Sequence, residues 1–226
     1  MSARRGARVG FAAAALAVGC LALPEMVVAA PTTPPANSIV TGDDPLAATA
    51  VAALDALAAG ARGEFGRLRD QVATEAAART EADPAAMRAA WRQADRPHQV
   101  ALLAAFTQLG TPYRTNASTP GEGFDCSGLT SWSWQQAGVA LFHQSKTQIR
   151  EAAPLSADTA QAGDLVYYPG HVMLFLGVGP AMIHAPFSGR SVEVIVLPAR
   201  RVGRVKYGNP APMVGALRVD RPTAVA

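Results

Sequence analysis

One thiol and two imidazoles carry most of the chemical capacity of this sequence. Cys126 stands in Asp125-Cys126-Ser127-Gly128-Leu129, after a Gly/Pro/Ser-rich stretch from Thr111 to Phe124 and at the start of a helical pattern. At a helix start the unpaired backbone N–H groups and the helix dipole point at such a sulfur. That position favours the thiolate, the nucleophilic form of cysteine. His171 and His184 fall in the consecutive strand-like runs HVMLFLG and AMIHA, and neighbouring antiparallel strands can bring two such side chains onto one face. A thiol, an imidazole that takes its proton, and a third polar group that orients the imidazole form the general arrangement for acyl transfer through a thioester. Taken singly, the three have bland readings as well: an inert buried cysteine, a turn histidine after Pro169-Gly170, and a strand-end histidine satisfied by backbone. Their order and context along the chain join them into one constellation.

Cys126, His143, His171 and His184 together have the side chains of a four-ligand zinc site. The close-spaced CxxC or HxxxH pairs that usually build one are absent, so no metal or other cofactor is expected. His98 and His143 lack such company and are read as structural or surface residues, with His143 a candidate for lining the cleft.

The elements that must position these groups follow from local signals. Asp44-Pro45, Asp83-Pro84 and Asp95-Arg96-Pro97 each place a capping carboxylate before a proline in the first helical turn. Helices are predicted from Pro45 to about Ala59, from Leu68 to Thr80 after the glycines at 60, 63 and 66, and from Asp83 to about Ala94. A further helix from Asp95 carries the stripe Val100, Leu102, Leu103, Phe106 and Leu109 to Gly110. Cys126 to Ala137 forms the next, ended by Gly138. After Asp164 the period changes: LVYY, HVMLFLGV, AMIHA, VEVIVL and MVGALRV read as about five strands. Helices first and antiparallel strands afterwards give an α+β fold, with the Cys126 helix packed across the sheet.

The chain has 226 residues and room for one ordinary domain with an extension. Residues 1–30 read as a secretory signal: Arg4, Arg5 and Arg8, then apolar Val9 to Leu23, then Val28-Ala29-Ala30 at the cleavage position. A second reading retains Cys20 as a lipid anchor within Ala17-Val18-Gly19-Cys20. Residues 31–43 are a Pro/Thr-rich linker, 44–94 a helical extension and 95–226 the catalytic domain. The extension is rich in alanine, which buries little area per residue. It is expected to lean on itself, on the catalytic domain, on a partner or on a second copy. Loss of Arg4, Arg5, Arg8 and Glu25 reduces 20 basic and 17 acidic residues to 17 and 16, so net charge falls from +3 to +1. Nucleic-acid binding through bulk charge is therefore not expected. One cysteine, Cys126, then remains, and no internal disulfide forms. Basic residues gather in the C-terminal third (Arg190, Arg200, Arg201, Arg204, Lys206, Arg218, Arg221), as a solvated face or as a weak attraction to an anionic wall polymer.

Over roughly Pro97 to Val219 the sequence resembles the NlpC/P60 family of cell-wall cysteine peptidases. The resemblance runs through ordered blocks: LGTPY (Leu109 to Tyr113), DCSGL (Asp125 to Leu129), GDLVYY (Gly163 to Tyr168), HVMLFLG (His171 to Gly177) and MIHA (Met182 to Ala185). It implies a compact papain-like domain in which Cys126 is the nucleophile, His171 the general base and acid, and His184 the residue that orients it. Tyr113 would assist the oxyanion, and Asp125 and Ser127 would lie near the stem-peptide end of the substrate. Two departures stand out. Where the family usually has Gly-Gly after the tyrosine, this chain has Arg114-Thr115-Asn116-Ala117, read as a longer, flexible loop. Where it usually has Leu-Pro-Arg after the cysteine helix, Leu141-Phe142-His143 occurs, so substrate preference does not carry over closely.

The resemblance implies an exported, extracytoplasmic enzyme that hydrolyses an amide bond in peptidoglycan stem peptides, between D-glutamate and a diamino acid. Two other readings use the same residues: a thiol amidase or acyltransferase on another substrate, and a catalytically silent wall-binding or scaffold module.

Overall fold

The computed structural model describes residues 42–211, all within one compact unit. The expected leader, Cys20, most of the linker, and the predicted strand MVGALRV lie outside the described residues. Seven helices and eight strands are described: α1 (Pro45–Ala58), α2 (Arg62–Thr80), α3 (Pro84–Gln93), α4 (Arg96–Thr107), β1 (Ser118–Thr119), β2 (Gly123–Phe124), α5 (Cys126–Gln136), α6 (Ser145–Glu151), β3 (Ala153–Leu155), β4 (Leu165–Tyr168), β5 (His171–Phe175), β6 (Ala181–His184), β7 (Glu193–Val196), α7 (Ala199–Val202) and β8 (Lys206–Asn209).

Three helix starts use the aspartate–proline device. Asp44 accepts from the backbone N–H of Leu46, Asp83 from Ala85 and Asp95 from His98, satisfying N–H groups that the first turn leaves unpaired. Small side chains let α1 and α2 approach closely: Ala47, Ala50, Ala53, Ala73, Ala76 and Ala77 are fully buried. Arg79 closes this pair with a two-pronged bond to Asp44 at 2.7 and 2.8 Å. The helical segment shares its core with the rest of the chain. Trp91 of α3 packs edge-on against Phe106 of α4, with ring centres 5.2 Å apart. Its indole N–H donates to the Leu176 carbonyl just past β5 at 2.9 Å.

The main sheet has six strands in the order β3-β8-β4-β5-β6-β7, every neighbouring pair antiparallel. Four of the predicted strand runs fall on β4 to β7. The α+β architecture agrees with the sequence expectation, with six strands rather than about five. The additional strands β3 and β8 and the helix α6 were not legible as periodic runs. Inside the Thr111–Phe124 stretch β1 and β2 form a small hairpin. Asn116, in the left-handed region at φ 60°, donates its backbone N–H to Asp125 at 2.9 Å. The segment expected to be a flexible loop is thus hydrogen-bonded down onto the start of α5.

His98, expected to be structural or at the surface, is fully buried and joins α4 to the approach to β4. Its Nδ1 meets Asp95 Oδ1, and its Nε2 lies 2.9 Å from Oδ1 of the fully buried Asp164. Burial works against the His98 charge, but the two carboxylates outweigh it and raise its pKa. His98→Asn removes the charge that faces a buried carboxylate, and a loss of about 3 kcal/mol is expected. Urea unfolding measures it; a loss under about 1 kcal/mol contradicts the buried ion-pair account.

Candidate active site

α5 is positioned by its cap. Asp125 Oδ1 accepts from the Gly128 N–H at 2.7 Å and from the Ser127 hydroxyl at 3.0 Å, and lies 2.9 Å from His143 Nε2. Its Oδ2 takes the Asn116 N–H. Both Asp125 and Ser127 are buried, and their polar atoms are engaged within the chain. His143 therefore joins the edge of the site by holding the cap. At Gly128 an added Cβ would come within 2.0 Å of the Ala117 carbonyl oxygen and 3.0 Å of His143 Nε2, so only glycine lets the loop lie this close over the helix start.

The first residue of α5 is Cys126, a free and partly exposed cysteine. Its sulfur is reached by the backbone N–H groups of Val172, Ser127 and Cys126 itself. The Val172 contact sets the sulfur against β5 next to His171. Burial pushes the Cys126 thiol up from its ordinary value and the Asp125 charge adds to this, while the backbone N–H groups pull the other way. Burial wins, so the resting sulfur is a thiol. The thiolate expected from the helix-start position alone is not the resting form.

His171 opens β5 and His184 closes β6. Their rings meet edge to face, with His171 Nε2 2.7 Å from His184 Nδ1. Both are buried. Burial drives His171 down to about 4, with the positive charge of Arg201 assisting. Burial also drives His184 down to about 3, with His171, Arg190 and Arg201 adding to it. Arg201 stands over the Tyr168 ring and donates to its hydroxyl at 2.9 Å, and that ring packs against His171. The other nitrogen of His184, Nε2, faces Glu193 Oε1 at 3.4 Å.

Tyr113 is half-buried at the end of the 109–113 segment, where its N–H donates to the Arg190 carbonyl. Burial raises its phenol pKa, and the Cys126 sulfur when ionised and the Asp125 carboxylate raise it further, which places it within electrostatic range of the sulfur. The structure thus brings Tyr113, Asp125 and Ser127 to the Cys126 end of α5 and joins the two histidines directly. Glu193 escaped the sequence reading. The signal that would have found it is strand parity: once AMIH pairs with EVIV across the Pro186–Ser191 turn, position 193 lies opposite position 184. Among the described residues no three His, Cys, Asp or Glu side chains group as metal ligands.

The neutral pair has a consequence for stability. Histidines of an unfolded chain protonate near 6.5 while these two remain neutral down to about 4 and about 3. The unfolded state therefore binds more protons as pH falls from 6.5. Stability from this pair is complete above pH 6.5 and is lost toward pH 4, at about 1.4 kcal/mol per pH unit for each histidine. His98 acts oppositely: its contribution is complete below 6.5 and lost as pH rises through its elevated value. Melting temperature is expected to fall between pH 6.5 and pH 4.5, and less steeply in His184→Asn. An equal slope in that variant contradicts the assignment.

Residues 110–203 match the model of the NlpC/P60 family. A probable endopeptidase of Mycobacterium tuberculosis is 41% identical over 97 residues, covering 42% of this chain and 25% of that protein. A gamma-D-glutamyl-L-lysine dipeptidyl-peptidase of Bacillus cereus is 37% identical over 97 residues, covering 39% and 28%. The bifunctional muramidase/DL-endopeptidase CwlT of Bacillus subtilis is 34% identical over 90 residues, covering 36% and 27%. The chain thus spans about a quarter of the length of these relatives. The crystal structure of an NlpC/P60 family protein from Bacillus cereus aligns with 28% identity, 50% of this chain, 39% of that one and a TM-score of 0.46.

Proposed function

Residues 110–203 belong to the NlpC/P60 family, and from that premise we propose that the chain is an exported cysteine peptidase that hydrolyses an amide bond in peptidoglycan stem peptides. The observation that carries this reading is the hydrogen-bonded His171–His184 pair, whose His171 opens the strand that brings the backbone N–H of its next residue, Val172, close enough to act on the Cys126 sulfur. The similarity to the gamma-D-glutamyl-L-lysine dipeptidyl-peptidase of Bacillus cereus supports the bond from D-glutamate to a diamino acid as the one cut.

The chemistry starts from a neutral thiol and a neutral imidazole. As Cys126 Sγ attacks the carbonyl carbon, His171 takes the thiol proton. The negative charge that develops on the carbonyl oxygen is met by backbone N–H groups at the start of α5 and by the Tyr113 hydroxyl. His171 then gives its proton to the leaving nitrogen, the C–N bond breaks, and a thioester remains on Cys126. Water, deprotonated by His171, attacks the thioester; the acid departs and the thiol is restored.

Hydrolysis of purified sacculi is expected to survive a chelator and to be lost after thiol alkylation or in Cys126→Ala. Loss to the chelator, or lysis that persists without the sulfur, contradicts the mechanism.

Attraction to the wall is part of the same reading. Lys146, Arg150, Arg204 and Lys206 line one cavity of about 420 Å3, with no carboxylate among its lining residues. Retention on isolated walls should fall steeply from about 0.05 to about 0.5 M salt, as screening of exposed charges requires. Retention unaffected by salt contradicts it.

A further inference from the structure

Beside the Cys126 and histidine constellation stands a carboxylate that the chemistry above does not use. Glu193 opens β7 directly opposite His184. Its Oε1 faces His184 Nε2 at 3.4 Å. Both atoms are buried, and neither makes a hydrogen bond to another described residue. The second oxygen, Oε2, is held by the Arg190 guanidinium, which fixes the direction in which Oε1 points.

A neutral imidazole carries one N–H, so two arrangements satisfy the bond between His171 Nε2 and His184 Nδ1. In one, His184 Nδ1–H donates to His171 Nε2. His184 Nε2 is then a lone pair aimed at a carboxylate oxygen, two acceptors facing each other in a buried place, and His171 carries its proton on Nδ1 with no basic nitrogen free. In the other, His184 Nε2–H points at Glu193 Oε1, His184 Nδ1 accepts from His171 Nε2–H, and His171 Nδ1 is left as a lone pair. Only the second avoids opposed acceptors, and only the second leaves His171 a base.

We propose that Glu193 is a positioning residue: its carboxylate fixes the proton on Nε2 of His184, this fixes the proton on Nε2 of His171, and the Nδ1 of His171 is thereby kept free to take the Cys126 proton. When His171 becomes an imidazolium during the reaction, the same carboxylate offsets the positive charge through His184, against the repulsion of Arg190 and Arg201. The kinetic part rests on the reading of Cys126 as the nucleophile; the assignment of protons does not.

Nitrogen NMR of the 15N-histidine-labelled full chain at neutral pH tests it without substrate. Wild type is expected to show Nε2–H and a bare Nδ1 on both rings; Nδ1–H on either overturns the proposal. In Glu193→Gln, whose amide has nearly the same shape, a mixture of tautomers is expected. With it should come a fall in kcat of about 10- to 100-fold at little-changed KM and a matching slowing of Cys126 alkylation. Glu193→Asp, which keeps the charge on a shorter arm, is expected to recover much of the tautomer preference and rate. A residue that only braces β7 would lower the melting temperature and leave tautomers and kcat alone, and that result in both Glu193→Gln and Glu193→Ala overturns the proposal. Should wild type hydrolyse no stem peptide, the proposed function fails while the spectra still decide the role of Glu193.

Discussion

A chain that begins at Asp95 does not reach the native fold. Removing α1 to α3 takes away Phe65, Leu68, Val72, Met87 and Trp91, all buried, strips α4 of its packing against α1 and leaves Phe106 without the Trp91 ring. Each large side chain that goes from buried to absent or exposed forfeits roughly 1.5–3 kcal/mol, and domains of this kind hold only about 5–15 kcal/mol in all. Part of the loss reaches the strand that carries His171. Trp91 fastens the end of β5 through the Leu176 carbonyl, and an added Cβ at Gly177 would meet Ala90 at 2.8 Å. The Arg96 guanidinium, 4.4 Å above the Phe65 ring, would lose its platform as well. Far-ultraviolet circular dichroism with thermal melting checks this: no cooperative transition is expected for the shortened chain. A soluble product with a sharp transition near that of the longer chain contradicts a shared core, and would make the segment a separable attachment.

His171→Gln leaves the fold in place and removes the reaction. Glutamine can keep a hydrogen bond to His184 but cannot accept the Cys126 proton or deliver it to a leaving nitrogen. General acid and base transfer contributes about 10²- to 10⁴-fold in such reactions. Here both roles fall on one ring and the nucleophile starts as a thiol, so the upper end, about 10⁴-fold in kcat, is expected with KM little changed. Initial rates on a soluble stem peptide measure it, with a melting curve to verify folding. A loss of less than about tenfold contradicts His171 as the base.

What the sequence could and could not disclose follows from the range of the forces involved. The helix starts at Asp44, Asp83 and Asp95 are local events, a carboxylate capping N–H groups two or three residues on, and they appear in the sequence as they do in the structure. Strands β4 to β7 alternate or run apolar within themselves and were legible for the same reason. Strand β8 was not: Lys-Tyr-Gly-Asn has no apolar period and is a strand because β3 and β4 supply its partners on either side. At the site, the thiol and the two imidazoles could be joined by their order along the chain, and the structure adds the 2.7 Å bond between the rings. Glu193 depends on the register of a pairing across a turn, and residue types alone do not encode that. Nor do they encode the protonation of Cys126. The start of a helix argues for a thiolate, but burial is a tertiary quantity, and here it prevails.

The hydrolytic assignment is tested most directly by mass spectrometry of muropeptides released from purified sacculi by the protein, beside Cys126→Ala. Fragments with a new amino terminus on the diamino acid and a new carboxyl on D-glutamate are expected from the wild type, with none from the variant. Intact stems after prolonged incubation with folded wild-type protein, or identical fragments from both, would contradict it.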